Sequence, residues 1–412
     1  MRRRHQRELL VFTAVAILST GGATMLAQAP GPPATQRLDV AVEVSGGYDS
    51  DAEGVVTPDF EQLTPSGYST LAIGSLEYFR QFSEAQVSAV TGSALRYFPE
   101  FRKVRTVGHT VAVGLDANVS KRLALRINQD AAYSPSYLYG LFPQLPPDST
   151  DDALVVASPD YDYNIDDSTS YNFGTSATLT RSLSRRFTVN VQGEARHINF
   201  TNESDLRHDL TTYGVGGGLS RNLTRNTVLT ADYHFRTIEG YAVGLTVGEH
   251  AVNAGIDLTR PVSARRHVQL SFRLGGSTID MPQFATETES GGRQFRVNAD
   301  FIGFYPFART WRLRGSYNRG VQYVGGLTQP AFVDGFTGEV GGLISRRVEF
   351  RAFAGRTSGQ SLLASSRSLL DTYSGDVKIS YSLSPRISLY GQYLYYAYDL
   401  RERVYAVPTV AT

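Results

Sequence analysis

Cysteine is missing from this 412-residue chain. That excludes disulfides, thiolate metal sites, a cysteine nucleophile and a lipid-bearing N-terminal cysteine. Tryptophan occurs once. Beyond the N-terminus no apolar run reaches the roughly 20 residues that a membrane-spanning helix needs. A helical membrane bundle is therefore excluded. A β-barrel is not, because its strands hide their apolar residues by alternation. An excess of charge is lacking too: 40 Lys and Arg against 39 Asp and Glu leave a formal net charge of +1. Nothing in that balance draws nucleic acid or an acidic partner. Catalytic signatures are also missing. There is no His-Glu-x-x-His and no Gly-x-Ser-x-Gly. The run Gly214-Val-Gly-Gly-Gly218 reads as strand, since no helical pattern follows it. The seven His residues are scattered, and no spaced calcium loop is present. The sequence predicts no catalytic site, no metal site and no cofactor.

What is present is repetition. Short turns centre near Phe82, Lys121, Arg185, Arg225, Arg265, Arg309, Arg346 and Pro385. Five are nearly alike: Ser120-Lys-Arg, Ser184-Arg-Arg, Thr224-Arg-Asn, Ser345-Arg-Arg and Ser384-Pro-Arg. Between them apolar and polar residues alternate, as in Phe187 to Arg196, Leu229 to Arg236, Val268 to Leu274 and Phe295 to Phe301. Period two is the mark of a strand with two unlike faces. Both a soluble sheet and a transmembrane barrel give it. The long strands and the aromatics near strand ends (Tyr97, Tyr133, Tyr171, Phe173, Phe304, Tyr305, Tyr393) favour the barrel.

The first 29 residues read as a secretory signal. Arg2, Arg3, Arg4 and Arg7 precede the apolar stretch Leu9 to Leu18, and small residues end in Ala27-Gln-Ala29. Residues 30–37 form a short Pro-rich lead-in, and residues 38–412 the barrel. Counting from the turns gives seventeen strands, the first near Leu38 and the last Ile387 to Tyr398. Bacterial single-chain barrels have even numbers, so an eighteenth is expected. Either it lies outside this chain, or Glu402 to Val410 supplies it, or the count is off by one. The expected fold is an all-β, antiparallel up-and-down transmembrane barrel of about 18 strands.

The start Leu38-Asp-Val-Ala-Val-Glu-Val, the hairpin spacing, the Arg-bearing turns and the segment Tyr133-Ser-Pro-Ser-Tyr-Leu-Tyr-Gly-Leu-Phe-Pro resemble the β-barrel porins found with exopolysaccharide-export genes. The resemblance covers nearly the whole chain after the signal. It implies an outer-membrane pore of a Gram-negative-type bacterium, passing polysaccharide or, alternatively, small solutes in general. An outer-membrane enzyme or a structural barrel is the less favoured reading. The partners implied are outer-membrane lipid, the barrel-insertion machinery, polysaccharide and proteins of an export complex.

Alternation assigns the polar face of each strand to the lumen. The pore-lining candidates are Arg126, Asp130, Glu194, Arg196, Asp232, Arg236, Arg273, Arg296, Asp300, Arg312, Arg314, Glu349 and Arg351. Their mixed signs either set up a field across the channel or pair with neighbours along its wall. The longest connection, Tyr133 to Asp167, is the candidate constriction or lid, with Tyr133, Tyr137, Tyr139, Asp160, Tyr161, Asp162 and Tyr163. Rings beside carboxylates suit sugars, by stacking and by accepting hydroxyl hydrogen bonds. The other reading is a solvated outer loop.

Overall fold

The computed structural model describes residues 5–19, 36–49, 67–99, 104–134, 170–201, 209–241, 245–263, 266–280, 292–322, 330–362 and 368–400. They form strands β1 (His5–Ser19), β2 (Gln36–Asp49), β3 (Gly67–Gln81), β4 (Ala85–Phe98), β5 (Val104–Ser120) and β6 (Leu123–Ser134). There follow β7 (Ser170–Ser182), β8 (Phe187–Phe200), β9 (Leu210–Asn222), β10 (Thr227–Tyr241), β11 (Leu245–Ser263) and β12 (Arg266–Asp280). The last six are β13 (Arg293–Tyr305), β14 (Arg312–Gln322), β15 (Ala331–Leu343), β16 (Val348–Ser361), β17 (Ser368–Ser384) and β18 (Ile387–Leu400). Each strand pairs antiparallel with the next, and β1 also pairs with β18, so the 18-stranded sheet has no end. The expected all-β, up-and-down barrel is the observed fold.

The five similar turns share one device. The Ser or Thr that opens each turn accepts a backbone N–H two residues on: Arg122 to Ser120, Arg186 to Ser184, Asn226 to Thr224, Arg347 to Ser345 and Arg386 to Ser384, at 3.1–3.4 Å. A hydroxyl so placed replaces a backbone acceptor and fixes the turn locally. That is why the same residue type recurs at these positions.

The seventeen strands counted from the turns correspond to β2–β18. The closing strand is His5–Ser19, which lies inside the segment read as a secretory signal. The geometry explains why a strand fits there. With seventeen strands in alternation, β2 and β18 run parallel, and one strand between them is antiparallel to both. The apolar stretch Leu9 to Leu18 fills that slot. Glu402 to Val410, the other candidate for closure, lies outside the described residues.

Alternation sorts the faces. Val44, Val113, Val191, Val215, Val252, Phe272, Leu274, Val297 and Ile379 all project outward and are exposed. Val252 is 61% and Phe295 66% exposed, whereas Ile238, Val247 and Ile279 on the inner face are at 0%. A soluble protein rarely leaves so continuous an apolar surface in water. A sheet that is apolar outside and polar inside is suited to a bilayer. Strands of 11–19 residues meet or exceed the about 9–11 needed to cross it.

The two faces make a direct prediction. Arg273 stands on the inner face of β12 and Leu274 on the outer. We expect Leu274→Arg to cost about 2–4 kcal/mol of stability in lipid, read from denaturant unfolding in vesicles. Loss of stability below 0.5 kcal/mol would contradict a lipid-facing Leu274.

Candidate functional site: the lumen wall and its loop-side closure

The inner wall is built from cross-strand pairs of opposite sign. Arg126 Nε lies 2.5 Å from Asp116 Oδ1, joining β6 to β5. Arg236 donates to Glu249 Oε2 at 2.6 Å, and Ser277 Oγ donates to the other carboxylate oxygen at 2.8 Å. Asn298 donates in turn to Ser277 Oγ. One polar chain therefore runs over four strands, β10 to β13. Arg351 donates twice to Glu339 Oε2, at 2.9 and 2.6 Å, and Arg312 lies 4.0 Å from its Oε1. Asn253 donates to Asp232, and Ser271 to Asp257. Tyr390 donates to Glu43 on the far side of the seam, and Gln392 to Asp376. A charge left alone in a wall backed by lipid is costly, and these contacts give each of the carboxylates just named a partner.

All thirteen pore-lining candidates lie on this inner face. Register sets one candidate, Arg273, opposite another, Asp300, and sets Arg126 and Arg314 opposite Asp116 and Glu339. Both signs are thus mixed along the wall, although Arg351 also stands opposite Lys378. Arg196 approaches Asp130 at 3.8 Å.

Glycines shape the arc from β7 to β9. A Cβ on Gly214 would stand 2.7 Å from Glu194 Cγ, and one on Gly216 3.1 Å from Gln192 Nε2. Asn190 lies across Gly218 and Asp130 across Gly174 in the same way. The bare backbone lets long polar side chains lie flat instead of standing into the channel. The glycine run thus has a packing reason in the wall.

The closure at the loop side was not visible in the alternation. The β13–β14 ladder holds only seven positions and ends at Ala299 opposite Arg319. Beyond it, Gly320–Gln322 stay paired with β15 alone. Val321 and Phe332 continue the outer faces of β14 and β15, yet both are buried against inner-face residues. Together with Leu362 they form one cluster with Leu210, Ile238, Val247 and Ile279. Gln294, on the inner face of β13, donates to the Leu362 carbonyl at 2.8 Å. Arg296 stands 5.8 Å above the Phe332 ring. The loop-side ends of β14 and β15, with Leu362 after β16, turn inward behind β10–β13. Gly240 assists: at φ 116° it bulges the end of β10 beside Asp209 and Leu210.

Tyr133 does not belong to this closure. It sits in β6 on the outer face, its ring centroid 5.1 Å from Tyr171 and 6.2 Å from His109. Such a group suits the edge of an apolar belt. Tyr137, Tyr139, Asp160, Tyr161, Asp162 and Tyr163 lie outside the described residues. The sequence held one signal for the strand-end closure: apolar Ile198, Ile238, Val247 and Ile279 occupy polar-face positions near strand ends.

Under the inward-turned ends lies a cavity of about 560 Å³. Its wall includes the polar chain Arg236, Glu249 and Asn298, and Arg319 to Val321 border it. Removing the wedge should open the passage. We predict that Phe332→Ala costs about 3–5 kcal/mol and raises single-channel conductance in planar bilayers. Unchanged conductance in a folded variant would show that these strand ends do not limit flow.

No family model matches the sequence, and no curated protein matches it either. Solved structures are similar in form. The chain shares 11% identity and a TM-score of 0.40 with OpdQ of Pseudomonas aeruginosa, over 97% of this chain and 98% of that one. For the ferric-catecholate import receptor Fiu of E. coli K12 the values are 10% and 0.39, over 97% and 82%. For a bacterial polysaccharide outer-membrane secretin they are 10% and 0.33, over 96% and 98%. These are loose likenesses of outline; the barrel itself is read from the closed ladder.

Proposed function

We propose that this chain is an outer-membrane channel and not an enzyme, and that it passes polysaccharide during exopolysaccharide export. The observation that carries the channel reading is the pairing of an apolar exterior with a polar, charge-paired interior in one closed barrel. Such a wall hydrates a path without holding an ion of either sign strongly. That balance favours neutral or weakly charged cargo. The export reading adds the resemblance noted from the sequence, and passage of small solutes in general is the competing use of the same wall. The inward-turned ends of β14 and β15 make this a constricted conduit, consistent with a cargo that must be admitted rather than one that leaks.

Residues 1–29 support delivery by a cleaved leader. In that case the slot that β1 fills between β2 and β18 is taken by another strand once the leader is removed, because an open edge in hydrocarbon costs several kcal/mol per unpaired group. We expect N-terminal sequencing of membrane-inserted protein to begin just after Ala27 or Ala29. An N-terminus at Met1 would instead make β1 a permanent part of the wall.

The channel is tested by reconstituting the full-length protein in planar bilayers. We expect low, weakly ion-selective conductance that long neutral oligosaccharides block. Conductance indifferent to them would favour general diffusion. Absence of conductance in both the native protein and Phe332→Ala would rule the channel out.

A further inference from the structure

We infer that the cavity beneath the inward-turned strand ends is a binding chamber for a neutral, hydroxyl-rich ligand of the size of a short oligosaccharide. This deepens the channel reading and rests on it for access to the chamber. Three observations carry it.

The first is charge. The cavity is bordered by Asp232, Glu249 and Asp300 and by Arg236, Arg273 and Arg319. Three charges of each sign cancel. An anion would meet three carboxylates and a cation three guanidinium groups, so neither gains from the wall as a whole. A neutral ligand has no such opposition.

The second is unmet hydrogen bonding. Thr230 Oγ1, Asn298 Oδ1 and Asp300 Oδ1 are buried atoms that lack a hydrogen-bond partner, and all three residues border the cavity. Buried polar atoms of this kind normally find one. Two of them only accept, so what completes them must donate. Arg273, directly across the ladder from Asp300, offers donors. The three unpartnered atoms are themselves sealed from the cavity, but Asp300 and Arg273 both border it, and a turn of the Asp300 carboxylate toward it lets a sugar hydroxyl donate to Asp300 and accept from Arg273.

The third is shape. Asn190 and Gln192 lie flat over Gly218 and Gly216, leaving the floor smooth and lined with amides. The volume of about 560 Å³ lies within the range of ligand pockets, roughly 300–1,000 Å³. Val321 is part of its lining, so a ligand there touches the wedge directly. Occupancy and the position of the strand ends are therefore linked.

The test is calorimetric titration of the full-length, detergent-solubilised protein with maltotriose, an anionic sialylated trisaccharide, a cationic glucosamine trimer and a zwitterionic amino acid. We expect maltotriose to bind most tightly. Asp300→Ala and the near-isosteric Thr230→Val should each weaken it at least tenfold, while Arg185→Gln, on a distant turn, leaves it unchanged. Tighter binding of a charged or zwitterionic probe would overturn the ligand class. Maltotriose binding that ignores both chamber variants would overturn the location, and no binding by a folded barrel would overturn the site. The two readings fail separately: conductance without binding removes the chamber and keeps the channel, and binding without conductance does the reverse.

Discussion

Every feature of this protein depends on backbone hydrogen bonds having nowhere to go but across the ladder. In hydrocarbon each unmet N–H or C=O costs several kcal/mol. A sheet placed there must close on itself. Closure demands a strand between β2 and β18, whose parallel course follows from the seventeen strands that join them. The slot will accept any segment that can extend, and here His5–Ser19 occupies it. Closure also frees the side chains from supplying backbone partners. The two faces can then diverge completely, apolar toward lipid and polar toward the lumen.

The inner wall solves a second problem, that of placing many charges on a surface backed by lipid. Segregating the signs would create a field across the pore and leave each charge dependent on water. Mixing them keeps partners within reach, as Arg236, Glu249 and Ser277 show over three strands. The wall stays wet and electrically quiet. In the channel we propose, such a wall discriminates by size and by hydrogen bonding more than by charge.

The strands were legible because period two and the Ser or Thr turns are local properties. Phe187 to Arg196 alternates whatever lies around it, and Ser184 fixes its turn with its own hydroxyl. All the charged lumen candidates followed from the same parity. Parity fails where the chain leaves the ladder. Val321 and Phe332 belong to the outer faces of β14 and β15 by spacing, but they end up inside, on Ile279 and its neighbours. The local sign, apolar Ile238, Val247 and Ile279 at polar-face positions, does not say what covers them, because Val321, Phe332 and Leu362 lie far along the chain. The closing strand was hidden differently. Leu9 to Leu18 is apolar at nearly every position, so it carries no alternation to read. The long loop after Tyr133 lies outside the described residues; the closure among the described residues is made by short strand ends.

The inward turn of those ends is an exchange of one interaction for another. It removes Val321, Phe332 and Leu362 from the outside, and burial of such side chains is worth about 1.5–3 kcal/mol each. It gives up three ladder positions, Arg296–Asn298 against Gly320–Gln322, whose hydrogen bonds contribute about 1 kcal/mol each when water is the alternative partner. The exchange is favourable on that condition. Were the freed groups to meet lipid, each would cost several kcal/mol and the ladder would re-form. The closed arrangement therefore requires water at the break in the β13–β14 ladder. The polar cavity beside it, which Asn298, Asp300 and Arg319 border, has room for that water. Wedge and cavity adjoin, so water in the cavity would hydrate the break that lets the wedge turn inward. A ligand that displaces this water must replace its hydrogen bonds or drive the strand ends back into the wall.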